Sequence, residues 1–104
     1  MRILVLFNLK PGVAAADYEH WAKTRDMPGV RSLMSIDDFR VYGITGIFGS
    51  DAKPPFQYAE VIDIADMDGF LTDIAQPMMV EVAAEFQQWA DAPLFLTTDE
   101  LVLA

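Results

Sequence analysis

Residues 2–9 read RILVLFNL, an almost unbroken apolar run with β-branched and aromatic positions. In a strand, successive side chains point to opposite faces. Ile3, Val5 and Phe7 then share one face, and Leu4 and Leu6 the other. Two further runs repeat the pattern. In FQYAEVIDI (56–64), Ile62 and Ile64 oppose Ala59 and Val61; in APLFLTTDELVLA (92–104), Phe95 opposes Leu94 and Leu96. A sheet with one face in water alternates apolar with polar residues. These strands do not, so the sheet they form must be covered on both sides.

The intervening segments supply one cover. Lys10-Pro11-Gly12 is a turn, and residues 14–25 have helical spacing, with Ala14, Tyr18, Trp21, Ala22 and Arg25 on one side. Pro28-Gly29 should interrupt that helix. A strand is expected near 36–47, with Gly43, Gly46 and Gly49 marking bulges or a bend, then a Pro-rich loop over 50–56. Asp66 resembles an N-cap for a helix through Phe70, Leu71 and Ile74. Pro77 should open a second helical segment over 77–90, carrying Met78, Val82, Phe86 and Trp89 inward. The order β-α-β-β-α-β predicts an α+β fold, the ferredoxin-like plait, whose four-stranded antiparallel sheet has both helices on one face. At 104 residues the chain is expected to be one domain, 1–104. Its 53% hydrophobic content is high for that size. The simplest cover for the second face is another copy of the sheet, giving a homodimer.

Charge removes whole classes of partner. Seven Lys and Arg against sixteen Asp and Glu give −9, the wrong sign for nucleic acid or an anionic membrane surface. With no cysteine and one histidine, thiolate chemistry and the usual zinc sites are not expected. No glycine-rich phosphate loop joins a strand to a helix, so no cofactor is expected. The N-terminal apolar run is too short to span a bilayer and lacks a cleavage region, so a cytoplasmic protein is expected.

The polar chemistry gathers in YEHWAKTRDMPGVRSL (18–33), which holds the one histidine, a tryptophan and three basic residues. His20 falls opposite Tyr18, Trp21 and Arg25 on a helical wheel, beside Lys23, and reads as solvated. Arg25 lies on the apolar side. Either its stem snorkels to water, or it pairs with Asp26, Glu60 or a substrate carbonyl. Asp26 is a turn cap or, in a partly apolar pocket, a general acid or base. Glu60 shares a strand face with Tyr58 and Ile62; it pairs with Arg40 across strands or acts on substrate. Asn8 ends the first strand, where its amide either orients a ligand or caps a turn. Tyr18, Trp21, Tyr58 and Trp89 are core aromatics or the flat walls of a ring-binding pocket.

The blocks ILVLFNLKPGV, YEHWAKTRDMPGVRSL with SIDDF, YAEVIDIADMDGF and QPMMVEVAAEFQQWAD together resemble the RedY-like (HapK) family of the dimeric α/β-barrel superfamily. The resemblance implies two-chain barrels, each subunit keeping a small-molecule pocket between its own sheet and helices. It also implies a role in secondary metabolism, on prodigiosin-type pyrrole or indole intermediates, without a bound cofactor. The histidines of related groups are missing. Gln76-Pro77-Met78-Met79 stands where polyketide-cyclising relatives read His-Pro-x-His, and Asp26-Met27-Pro28 where EthD-like relatives read His-x-Pro. Catalysis at the latter place would fall to a carboxylate.

Three functions fit these residues. One is cofactor-free acid–base condensation, dehydration or hydrolysis, with Asp26 moving the proton and Arg25 or Asn8 stabilising an oxyanion. Another is a carrier that shelters a reactive aromatic intermediate. The third is a cofactor-independent monooxygenase. The two apolar sheet faces generate a direct prediction. Sedimentation in dilute solution should report about twice the chain mass, because one face has no cover of its own; a stable, soluble monomer would overturn the expected pairing.

Overall fold

Burial along the strands reports which face the helices cover. The structure, a computed structural model describing residues 1–103, has four strands: β1 (Arg2–Leu9), β2 (Ile36–Gly43), β3 (Tyr58–Ile64) and β4 (Ala90–Thr97). They form one sheet in the order β2-β3-β1-β4, every neighbouring pair antiparallel. Along β3, Tyr58, Glu60, Ile62 and Ile64 are buried while Ala59, Val61 and Asp63 are only partly so. The register sets Phe7 beside Tyr58 and Val5 between Glu60 and Phe95. All helices pack on this side. The other face carries Leu4, Leu6, Ala59 and Val61, half-buried, and Leu94, Leu96 and Tyr42, exposed. It is the uncovered apolar face that the strand pattern anticipates.

The first helical stretch departs from expectation. Pro28-Gly29 does not break it: α1 (Ala15–Trp21) passes through a π-helical turn (Ala22–Asp26) directly into α2 (Met27–Arg31). Tyr18, Ala22, Asp26 and Val30, spaced by four, are all buried. An ideal helix drifts by about 40° over each four residues. The wider π turn takes up that drift and holds Asp26 inward. The N–H of Met27 accordingly reaches five residues back, to the carbonyl of Ala22. Pro28, with no N–H to place, sits in the first turn of α2, where a proline is tolerated. Gly29 lies where α2 meets the last helix, its missing Cβ position 3.5 Å from Met78 Sδ.

Other boundaries shift for local reasons. β2 stops at Gly43, and its bulge falls between Ile36 and Asp38 rather than at the glycines. Asp66 takes the N-cap position of α3 (Met67–Asp73) without a side-chain capping bond. In α4 (Pro77–Trp89), Pro77 occupies the first turn. Met79, Val82 and Phe86 are its buried residues, while Met78 and Trp89 are half-buried. β4 begins at Ala90, two residues before the expected start. Its pairing with β1 is irregular opposite Leu6–Asn8, where Ala92 has φ of 44°. Pro93, lacking a donor, fits this bulge on an edge strand. Beyond it, Leu101, Val102 and Leu103 are exposed; Ala104, the last residue of the expected apolar tail, lies outside the described residues. Among the described residues, no helix is long and apolar enough to cross a membrane.

Phe7 is the centre of the core. Fully buried, its ring stacks on Tyr58 at 5.5 Å and meets Tyr18 and Phe86 edge-on at 5.5 and 5.0 Å. Phe7→Ala should therefore cost about 3–5 kcal/mol, the range for a deleted core aromatic. Urea denaturation measures it, and a loss under about 1 kcal/mol would place the core elsewhere.

Candidate acid–base site

Between the covered face of the sheet and the helices lies a cavity of about 130 Å³. Asp26 and Val30 enter it from the π turn and α2, Phe39 from β2, and Glu60 and Ile62 from β3. Phe70 of α3, Met79 and Phe86 of α4, and Phe95 of β4 complete an apolar lining. Ile74, Ala83, Gln87 and Phe95 also touch solvent, so the mouth opens between α3, α4 and β4. A larger depression of about 740 Å³ lies at the chain ends, among Arg2, Asp63, Asp99 and Glu100. Charged residues make up much of its lining, but none of them is buried.

The cavity's polar content is two carboxyls. Asp26 is 5% exposed and Glu60 4%. Tyr18 donates a long hydrogen bond, 3.5 Å, to Glu60 Oε2. Among the described residues Asp26 has no hydrogen-bond partner, yet no buried side-chain oxygen is sealed away unpartnered. Its carboxyl therefore opens onto the cavity. Burial raises Asp26 to about 7, assisted by the negative charge of Glu85. Burial also raises Glu60 well above the ordinary carboxylate range; Asp26 adds to this and the Tyr18 hydroxyl offsets part of it. Tyr18 itself is pushed far up by burial, then by Glu60 and Asp26, and remains a neutral donor. Two acids that disfavour each other's charge in an apolar site can hold and pass a proton near neutral pH.

Several anticipated site residues lie elsewhere. Arg25 pairs with neither Asp26 nor Glu60. Its Nη2 is 3.0 Å from Glu85 Oε2 and 3.4 Å from Glu81 Oε1. Trp21, one turn earlier, donates from Nε1 to Glu85 Oε1 at 2.7 Å. The bonds from Arg25 and then Trp21 hold Glu85 below its ordinary range. Arg25 thus clamps the first helix to α4 outside the cavity. Arg40 does not pair with Glu60 either. Register puts it opposite Val61, on the uncovered face, where it meets Asp38 at 3.0 Å and Asp63 at 3.5 Å. Asn8 is also on that face; its amide donates to the Pro55 carbonyl and accepts from the Gln57 N–H, tying down the 50–56 loop.

The aromatics Tyr18, Trp21, Tyr58 and Trp89 pack on one another at 4.8–6.5 Å. They form core beside the cavity rather than its lining. Tyr58 donates to Glu19 at 2.7 Å, and burial with that bond pushes its hydroxyl up to about 12. His20 is exposed. Sequence reasoning missed the real walls, Phe39, Phe70, Phe86 and Phe95, and the anchor Glu85. Phe86 carried a signal in its inward spacing; no local signal selects Glu85 as the partner of Arg25.

The family described as REDY-like protein HapK matches residues 1–101. The chain belongs to the HapK family. HapK from Hahella chejuensis has a structure similar to this one, with TM-score 0.71 and 22% identity, covering 100% of this chain and 98% of that one. Arabidopsis thaliana At3g17210 gives TM-score 0.81 at 17% identity over 99% and 97% of the chains. A dimeric ferredoxin-like protein of unknown function from Thermobifida fusca gives 0.70 at 17% over 91% and 85%. At these identities the likenesses establish the shared fold. No curated protein matches the chain.

The two carboxyls make stability of this HapK family member depend on pH. Raised native values mean that the folded chain keeps protons which the unfolded chain releases above about pH 4. Their contribution is complete below that value and is lost as pH rises toward about 7. Glu85, held low, works the other way, losing its contribution only as pH falls into the acid range. Urea midpoints should therefore fall between about pH 5 and about pH 8, and Glu60→Gln should flatten the decline. An equally steep decline in that variant would show that the pair is not its source.

Proposed function

We propose that this protein is a cofactor-free acid–base catalyst acting on a small aromatic ring, of the pyrrole or indole type, in secondary metabolism. One observation carries the reading: Asp26 is buried, lacks a hydrogen-bond partner among the described residues, and opens into an apolar cavity beside a second carboxyl. Near neutral pH a group of this kind is divided between acid and base, the condition for efficient proton transfer. Phe39, Phe86 and Phe95 supply the flat apolar surfaces that would hold the ring. Glu60 and the neutral Tyr18 hydroxyl bias which carboxyl carries the proton. Arg25 and Asn8 have no part in the chemistry, since both are committed elsewhere. Condensation and dehydration, which proceed by moving protons, suit the site better than steps needing a strong oxyanion hole.

The working unit in this proposal is a homodimer joined through the uncovered sheet face. Its support is the row of apolar residues there, Leu4, Leu6, Leu94 and Leu96. The Thermobifida fusca relative of like fold is itself described as dimeric. The dimer would leave the cavity mouth, on the helix side, open to ligand.

Asp26→Asn tests catalysis against carriage. The amide is nearly isosteric and cannot act as a carboxylate base. Turnover of a pyrrole or indole substrate should fall by about 100-fold or more, the contribution of a positioned acid or base, while a neutral ring still binds. Full turnover in this variant would end the proposal, and unchanged ligand capture by a protein without turnover would make it a carrier.

A further inference from the structure

Once either carboxyl of the pair gives up its proton, the chain offers the resulting charge no cation. A buried carboxylate normally has a cation or several donors beside it. Here Arg25 is held by Glu85 and Glu81, Arg31 donates to the Phe39 carbonyl, and neither lines the cavity. Arg40 is on the far face of the sheet. The lining contains no Lys, Arg or His, and besides the carboxyls' own protons its side-chain donor is the Gln87 amide at the mouth. Asp26 is 95% buried by its 5% exposure and is unpartnered among the described residues. The groups facing it are Glu60 from β3, Tyr18 from α1 and Glu85 from α4, none of them positive.

We infer that the missing partner is the ligand: the cavity is built for a single flat ring that carries positive charge on N–H groups, an amidinium, a protonated imine or a protonated nitrogen heterocycle. This deepens the proposed acid–base site and rests on it. Size sets the ring count. An apolar cavity of about 150 Å³ takes a benzene, so about 130 Å³ admits one ring and leaves a second at the mouth. Phe39, Phe86 and Phe95 offer π faces, which attract a delocalised cation as well as a neutral ring. The N–H groups would meet Asp26 and Glu60 in charge-assisted hydrogen bonds. An anion would meet two carboxyls that must both stay protonated to receive it, with no cation in the lining to offset its charge. In catalysis the same arrangement favours a reaction in which the ring or its imine gains a proton and becomes cationic.

The test uses three probes of equal shape: benzamidinium, neutral benzamide and benzoate, titrated into the full chain by calorimetry and by backbone amide NMR. Benzamidinium should bind at least about tenfold tighter than benzamide, and benzoate should not bind, given the worth of a buried charge pair. Shifts should centre on Val30, Ile62 and Phe86. Glu60→Gln and Asp26→Asn should each weaken benzamidinium about tenfold and leave benzamide within about twofold. Both substitutions are nearly isosteric and replace a buried titrating group by a neutral amide, so the folded chain should survive them. Benzamide or benzoate binding as tightly as benzamidinium, with shifts at those residues, would overturn the cation inference and leave the cavity as the site. No shift there with any probe would overturn the cavity and the proposed function together.

Discussion

Glu60 faces the helices from the second strand position outward from the core centre, and most of this molecule accommodates that fact. Taking a carboxylate out of water without a counter-ion is expensive, so the group keeps its proton instead. It needs a donor and finds Tyr18 across the sheet–helix gap. It needs space and finds the cavity that Asp26 also enters. The aromatic cluster around Phe7 forms the dry boundary that keeps the dielectric low. Polar atoms, packing and void are therefore parts of one arrangement, and a change to any of them alters the charge state of the others.

The outer clamp is the complement of this inner pair. Trp21 and Arg25 both reach Glu85 and hold that carboxyl below its ordinary range, while Asp26 and Glu60 are held above theirs. Two acidic environments thus lie within a few turns of each other. One is partly solvated and satisfied by donors; the other is dry and short of them. Their difference comes from neighbours, not from residue type.

Much of the plan was legible in the residues. The element order gave the plait, strands apolar on both faces gave its uncovered side, and the inward spacing of Val82 and Phe86 identified the packing side of α4. Asp26 stands out at the expected break before Pro28, and Glu60 as a carboxylate sharing a strand face with Tyr58 and Ile62. The misses have physical causes. The partner of Arg40 depends on strand register, which a bulge at Asp37 shifts, and alternation then sends it to the opposite face from Glu60. Arg25 was read on the correct side of its helix, but the helix that it meets is fixed by tertiary packing. Pro28 looked like a break because its missing N–H would leave a carbonyl unpaired in an α-helix; a π turn just before it redistributes those bonds.

That turn has a consequence for how such proteins diverge. A π turn is an α-helix with one residue too many, so its removal is a change of length rather than of residue type. Because the wide turn absorbs the extra residue, the helical turns on either side of it keep nearly the register of a regular helix, and deleting one residue between Ala22 and Asp26 would leave Tyr18 and Val30 facing the sheet much as they do now. A regular α-helix offers no such point, since losing a residue from it rotates one half against the other by about 100°. This helix can therefore change length beside its buried acid, a freedom that no comparison of lining residues would reveal.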